Sequence, residues 1–268
     1  MADLDDLSRE LDRWTQAGRR IDVWWRDDDA TRSSPALERL VRAAAEYDLP
    51  LAAAVVPEGL GASLPTALAD PSLTILQHGF AHRNHAAPGG RAVECGGDRP
   101  VETVLAELSD GRSRLADAFG DRFLPVMVPP WNRITAEIVS ALPGEGYRGV
   151  SVFGPRDPAA PRPDGLAEIN AHLDLLTWKG GARFAGGEKL VKLASERLAD
   201  RRLARTDPDE PFGILTHHLD HDAETWTFLR AMLGLLARHP AVRWRSAGEL
   251  FGAAAKGGAG LATDRPSA

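Results

Sequence analysis

Several common features are missing from this sequence, and each absence narrows what the chain can be. It has one cysteine, Cys95, in 268 residues, so no internal disulfide can form. It has no long apolar run, and its acidic first ten residues predict neither a signal peptide nor a membrane span. Positive charge is not in excess, because the formal net charge is −6. We therefore expect a cytoplasmic protein without a membrane or nucleic-acid partner.

The composition is that of a globular protein, with 43% hydrophobic and 26% charged residues. Short apolar runs alternate with amphipathic helical segments, and this pattern predicts parallel strands joined by helices. We predict strands at 21–25, 51–56, 73–77, 124–128, 149–153, 168–173, 212–216 and 242–244. The predicted fold is a distorted (β/α) barrel of seven or eight units, with a doubly wound sheet as the alternative. Residues 1–255 would form one domain, and 256–268 a disordered tail.

The barrel is favoured by the position of the polar residues, which follow the C-terminal ends of different predicted strands. The first such group is Asp27, Asp28 and Asp29, directly after an apolar strand. Adjacent carboxylates at the end of a core strand repel one another and lose hydration, so they call for a cation. Helix capping explains them less well, because a cap needs one carboxylate and the next helix begins only near Pro35. One aspartate would bind a metal and its neighbour would take a proton from water.

The second group is His78 and His82, four residues apart at the start of a long loop that extends to Pro100. Taken alone, such a pair is more often a strand cap and a loop hydrogen bond. Together with the aspartates it predicts a metal site of two imidazoles and one carboxylate, which leaves positions open for water and substrate. Hydrolytic metal ions are bound in this way.

The third group follows the apolar strand 212–216 and contains His217, His218, Asp220, His221 and Asp222. A general acid is expected to be a histidine whose second ring nitrogen is fixed by a carboxylate. Because neighbouring residues on a strand point to opposite faces, only one of His217 and His218 can face the site. The alternatives are a second, weak metal cluster or a solvated loop.

Five short motifs occur here in the order found in the polysaccharide deacetylase superfamily, the carbohydrate esterases related to chitooligosaccharide deacetylases. The sequence resembles this family from Val23 to about Asp222. The motifs are Asp28-Asp29, His78-Gly79-Phe80-Ala81-His82, Pro129-Pro130-Trp131-Asn132, Asp174-Leu175-Leu176-Thr177-Trp178 and Leu215-Thr216-His217.

The resemblance implies a distorted (β/α) barrel and a divalent metal, usually Zn²⁺, with Asp29, His78 and His82 as ligands. It further implies that Asp28, as catalytic base, deprotonates metal-bound water, and that His217, as catalytic acid, protonates the leaving amine. The reaction implied is removal of an acetyl group from an N-acetylated sugar or related amide. The expected partner is a carbohydrate or small-molecule substrate. By the same resemblance, Pro130, Trp131 and Asn132 would contact it.

Three departures from the family pattern leave questions open. The family has an arginine where this sequence has Val128, and Arg26 or Arg133 could replace it. A second aspartate of the fourth motif is Thr177 here, so Asp174, Asp220 or Asp222 would orient the acid. The family's glycine after the paired carboxylates is Ala30 in this sequence. The extra Asp27 makes either Asp27 and Asp28 or Asp28 and Asp29 the base and ligand.

We expect Arg26, Asp174 and His218 to support the reacting groups. The departures also keep two other hypotheses open beside deacetylation. One is hydrolysis of a different small-molecule C–N bond at the same metal site. The other is a non-catalytic binding protein on the same fold.

Overall fold

The computed structural model describes residues 3–157, 159–160 and 162–257. Within these ranges the helices are α1 Asp5–Gln16, α2 Pro35–Glu46, α3 Leu64–Ala67, α4 Val101–Phe119, α5 Ala136–Ala141, α6 Gly187–Arg202, α7 Ala223–Arg238 and α8 Ala247–Gly257. The strands are β1 Ile21–Ala30, β2 Leu51–Val55, β3 Leu73–His78, β4 Phe123–Val128, β5 Gly149–Val150, β6 Ala167–Glu168, β7 Leu173–Asp174, β8 Leu176–Thr177, β9 Arg183–Phe184, β10 Phe212–Thr216 and β11 Val242–Trp244. The tail predicted to be disordered lies outside the described residues from 258 onward.

The main sheet is parallel, and its strands run in the order β6-β5-β4-β3-β2-β1-β10-β7. Strand β11 pairs with the first residues of β1, and β8 and β9 form a separate antiparallel pair. Strand β1 is therefore central, with β2 on one side and β10 on the other. Its C-terminal end carries the three aspartates, which places them in the middle of the sheet edge.

The two ends of this strand order are joined by one short extended segment, 167–174. On one side Ile169 N donates to Val150 O at 3.2 Å, and on the other His172 N donates to Gly213 O at 2.7 Å. Because the same segment bonds β5 and β10, the sheet curls back on itself. The predicted distorted barrel is confirmed, and the doubly wound alternative is wrong.

Side-chain alternation along β1 separates two cores. Val23 and Trp25 pack outward against the surrounding helices, whereas Trp24 packs inside the barrel. The Trp24 indole meets Phe251 of α8 edge-on, with ring centroids 6.1 Å apart. A Cβ at Gly213 would lie 2.6 Å from the Trp24 Nε1, so β10 needs a glycine at this position. Trp24 and Trp25 are both core residues.

No helix among the described residues is long and apolar enough to cross a lipid bilayer. The cytoplasmic location stays a prediction.

Candidate active site

Three potential metal ligands come together at the C-terminal edge of the sheet, namely Asp29, His78 and His82. One carboxylate oxygen and one ring nitrogen of each histidine lie within 4.8 Å of one another. Asp29 Oδ1 lies 3.1 Å from His78 Nε2 and 3.3 Å from His82 Nε2. Two ligands on a tetrahedral zinc ion with bonds near 2.0–2.1 Å would be about 3.3 Å apart. The donor set and its spacing therefore fit a divalent ion such as Zn²⁺.

The strand carrying Asp29 is irregular, and this irregularity brings two adjacent carboxylates into one site. The pairing register between β1 and β2 shifts between Asp27 and Ala30, and Asp29 has a φ of 73°. In a regular strand Asp28 and Asp29 would point to opposite faces. Here both line the same cavity.

The orientation of His78 and the charge of Asp29 suit a metal site. His78 Nδ1 lies 3.0 Å from the main-chain oxygen of Val128, so the N–H donates there and Nε2 faces Asp29. Burial raises the pKa of Asp29, but the His78 hydrogen bond and the nearby histidine charges outweigh it and hold that pKa well below its ordinary value. The carboxylate is therefore ionised, as a ligand must be.

Glu94, for which we made no prediction from the sequence, organises the loop that contains the two histidines. Its buried carboxylate accepts hydrogen bonds from the backbone N–H groups of Phe80, Ala81 and Arg83 at 2.9–3.0 Å. A Cβ at Gly79, which has a φ of 56°, would lie 2.0 Å from Glu94 Oε2. The only available signal was that the loop has just two acidic residues, Glu94 and Asp98.

Asp28 is paired with Arg26, and both side chains are buried. Arg26 Nε lies 2.9 Å from Asp28 Oδ1, and Nη2 donates to Oδ2 at 3.0 Å. The guanidinium also donates to the hydroxyl of Ser151 at 2.7 Å and to Asn132 Oδ1 at 2.7 Å. Of the two arginines considered as replacements for the family's arginine, Arg26 is the one that contacts Asp28. Arg133 instead donates to the main-chain oxygen of Ala92 at 2.6 Å.

Asp27 points away from the cavity, into the layer outside the barrel. It accepts from Thr216 Oγ1 at 2.6 Å and lies 2.5 Å from His218 Nδ1. Neither Asp27 nor His218 lines the cavity. The geometry therefore makes Asp28 and Asp29 the pair in the site, and His218 supports Asp27 rather than the reacting groups.

His217 lines the same cavity as Asp29, His78 and His82. Its Nδ1 lies 3.7 Å from Asp174 Oδ1, and the second oxygen of Asp174 accepts from Trp178 Nε1 at 2.8 Å. The Trp178 indole meets the His217 ring edge-on, with centroids 4.7 Å apart. Burial raises the pKa of Asp174, although His217 and Trp178 oppose the rise.

The remaining polar residues of the third group have other roles. Asp222 caps α7 by accepting from Thr225 N at 2.7 Å, and Asp220 is exposed. His221 packs edge-on against Trp226, and burial lowers the pKa of His221 to about 4. Among the described residues, only Asp29, His78 and His82 form a cluster that could bind a metal. The alternative of a second metal cluster therefore finds no support.

Backbone strain is concentrated at the site. Six non-glycine residues of the described chain have positive φ, and four of them are Asp29, His82, Trp131 and Asn132. Such conformations cost free energy and are retained mainly where function requires them. They place the Trp131 ring against His82, with centroids 4.4 Å apart. Pro130 was expected to contact substrate, but it is buried and lies outside the cavity lining, where it packs near Gly79.

The cavity that these residues surround has a volume of about 540 Å³. One wall contains Trp131, Asn132, Arg133 and Arg91, which follow β3 and β4 or lie in the loops after them. The part of the lining that follows β7 is largely apolar and contains Leu176, Thr177, Trp178, Ala185, Lys189, Leu190 and Leu193. Trp178 and Phe153, which also line the cavity, have half-exposed side chains.

The chain has the fold of the polysaccharide deacetylases. Against a structure described as a putative polysaccharide deacetylase from Mycobacterium smegmatis, the TM-score is 0.61 at 16% identity, covering 93% of this chain and 96% of that one. For a family 4 acetyl xylan esterase from Clostridium thermocellum, solved with a cobalt ion, the TM-score is 0.53 at 12% identity, covering 87% of this chain and 91% of that one.

A further similar structure is a mutant of a protein described as a CE4 family pseudoenzyme. It gives a TM-score of 0.55 at 12% identity and covers 87% of this chain and 67% of that one. No protein-family profile and no curated protein matches the sequence. At these identities the similarity establishes the fold, and the activity has to be argued from the site.

Proposed function

We propose that this protein is a metal-dependent hydrolase that removes an acetyl group from an N-acetylated sugar or a related amide. The observation that carries the proposal is the meeting of three potential ligands, Asp29, His78 and His82, with Asp28 and His217 in one cavity. The names of the similar structures, which include deacetylases and an acetyl xylan esterase, agree with this reaction class.

Asp29, His78 and His82 would bind the divalent ion, and Zn²⁺ is the ion proposed because the donors are two imidazoles and one carboxylate. When bound, the ion supplies Lewis acidity to an acyl oxygen and lowers the pKa of water. His78 is held in the tautomer that this requires by its hydrogen bond to Val128 O. His82 is held by the Trp131 ring and by the loop that Glu94 organises.

Asp28 is the proposed general base. Arg26 orients its carboxylate with contacts to both oxygens, and Asn132 and Ser151 fix Arg26 in turn. A carboxylate oriented in this way can accept the proton of the attacking water. The family's arginine, absent at Val128, is thus replaced by an arginine two residues before the base itself.

His217 is the proposed general acid. Its Nδ1 faces Asp174, so Nε2 is the nitrogen left to donate a proton to the departing amine. Trp178 fixes Asp174 through its indole N–H and also packs against the imidazole. Asp174 would take the orienting role that Thr177 cannot, acting on His217 Nδ1 as the nearby carboxylate charge rather than through a hydrogen bond.

Two alternatives are tested by the same experiments. Hydrolysis of another small-molecule C–N bond would use the same residues, and the substrates that are cleaved distinguish it from deacetylation. A non-catalytic binding protein is suggested by the similarity to a pseudoenzyme, but the intact Asp28, Arg26 and His217 arrangement favours catalysis.

The test combines metal content with acetate release. Purified protein loaded with Zn²⁺ should retain about one ion per chain, and His78→Ala should lose it. Acetate release should be measured on N-acetylated mono- and oligosaccharides, with formamides and cyclic amides in parallel. Asp28→Asn should keep the metal and lose turnover, whereas the exposed control Asp220→Asn should keep both. Turnover that survives Asp28→Asn, or metal retained by His78→Ala, would refute the proposal.

A further inference from the structure

Three cationic side chains line the cavity, although the chain as a whole has a net charge of −6. These are Arg91, Arg133 and Lys189. Within the described part of the chain, none of them lies within ion-pair distance of a carboxylate, whereas Arg9, Arg83 and many other surface arginines are paired. The cavity therefore holds three cationic groups that no carboxylate of the described residues contacts directly.

Arg91 and Arg133 form a like-charged pair on the wall beside Trp131. Arg133 Nη1 is fixed by the main-chain oxygen of Ala92, the residue next to Arg91, at 2.6 Å. Its Nε is buried and has no hydrogen-bond partner among the described residues. Burial lowers the pKa of Arg133, and the charge of Arg91 lowers it further. Two adjacent guanidiniums without a counter-charge repel each other, and an anion between them would relieve the repulsion.

The charge balance of the whole cavity points the same way. Three carboxylates line it, namely Asp28, Asp29 and Asp174, and they match the three cations in number. Asp28 is already neutralised by its buried ion pair with Arg26. Loading a divalent ion would then leave the cavity with a clear excess of positive charge. A neutral sugar would not use this excess, whereas an anionic substrate would.

We propose that the substrate carries an oxyanion group, a carboxylate or a phosphate ester, that is bound by Arg91 and Arg133. Guanidinium groups suit such oxyanions because their N–H donors match two oxygens at once. The largely apolar wall of Leu176, Leu190 and Leu193 faces the uncharged part of the molecule. This inference rests on the proposed function and narrows its substrate to an acidic N-acetylated small molecule.

Binding can be tested without turnover by using hydroxamates, which chelate a metal ion as non-hydrolysed amide analogues. The probes are benzohydroxamate, its 3-carboxy and 4-carboxy derivatives, and its 4-phosphonomethyl derivative. Their affinities for the Zn²⁺-loaded protein are measured by calorimetry at low and high salt. The variants are Arg91→Gln, Arg133→Gln and the double variant, and the control is Arg9→Gln, which removes one positive charge from the exposed surface of α1.

At least one anionic probe should bind about fivefold or more tightly than benzohydroxamate, with an advantage that shrinks as salt is added. The double variant should lose this advantage and bind benzohydroxamate as before, and Arg9→Gln should behave as the wild type. Tighter binding of the carboxylates or of the phosphonate identifies which oxyanion the pair prefers.

The failures are distinguishable. If no hydroxamate binds the loaded protein, the metal site fails and the proposed function fails with it. If neutral and anionic probes bind the wild type equally, or the double variant keeps the preference, the anion site is refuted while the metal site stands. Weakened binding of benzohydroxamate in the double variant would also refute it, because the arginines would then only shape the loops.

Discussion

Replacing Arg26 with methionine should strongly destabilise the protein, because it leaves Asp28 as an uncompensated carboxylate inside the barrel. The Arg26 side chain is fully buried and that of Asp28 is 1% exposed. Breaking a buried ion pair by removing one partner costs about 3–5 kcal/mol in the free energy of unfolding. The hydrogen bonds to Ser151 and Asn132 are lost as well.

The pair is measured by a double-mutant cycle of Arg26→Met, Asp28→Asn and the double variant, each unfolded in urea. Because each single variant leaves a buried charge alone, the double variant should cost clearly less than the sum of the two. We expect a coupling of about 2–3 kcal/mol between the two sites. Arg133→Gln, at the other arginine considered for this role, should cost less than about 1 kcal/mol, as expected for a partly exposed arginine. Additive costs, or an Arg26→Met variant as stable as the wild type, would refute the assignment of Arg26 as the partner of Asp28.

Three further predictions concern the surroundings of the site. Glu94→Gln weakens the acceptor of three backbone N–H groups and should lower Zn²⁺ affinity about 10–100-fold in chelator competition. The control Asp98→Asn, in the same loop, should leave the affinity unchanged. Equal affinities of Glu94→Gln and the wild type would show that Glu94 does not support the metal site. Trp178→Phe deletes the hydrogen bond to Asp174 and should lower kcat about tenfold with little change in KM; a change in KM alone would contradict this role. The pKa of His221 is lowered to about 4 in the folded protein, so the unfolded state takes up the imidazole proton at a higher pH than the folded state does. The free energy of unfolding should therefore fall as pH falls from about 6.5 to about 4. His221→Phe should remove up to about 3 kcal/mol of that loss in pH-dependent urea titrations, and an unchanged profile would show that other groups cause it.

The fold was predictable because parallel strands buried on both faces read as continuous apolar runs. Strand β2 is fully buried along its length, and its predicted range differs from the observed one by a single residue. The ligand types were predictable too, because a carboxylate cluster and a closely spaced histidine pair each follow such a strand. The two-residue strands β5, β6 and β7 carry little periodicity, so the way the barrel closes could not be predicted from pattern alone.

Burial on both faces makes these strands recognisable in the sequence, but it also means that the sequence does not show which side chains face the barrel interior. In β1 nearly every residue is buried, so polar and apolar positions do not alternate, and the sequence cannot show which of Asp27 and Asp28 faces inward. His217 and His218 at the end of β10 raise the same ambiguity. The structure decides both, because Trp24 fills the barrel and thereby fixes the side-chain alternation of its own strand and, through Gly213, that of β10.

By itself, the sequence determined which chemical groups this protein has and that they follow the ends of strands, since both are local properties of the chain. Only the tertiary structure decided which of them meet. Arg26 reaches Asn132 across 106 residues, and Trp25 reaches Thr216 across 191. Arg91 and Arg133 approach each other only because the loops after β3 and β4 lie on the same wall of the cavity. Such contacts depend on strand order, register and one irregularity in β1, which are settled by packing of the whole barrel rather than by any stretch of sequence.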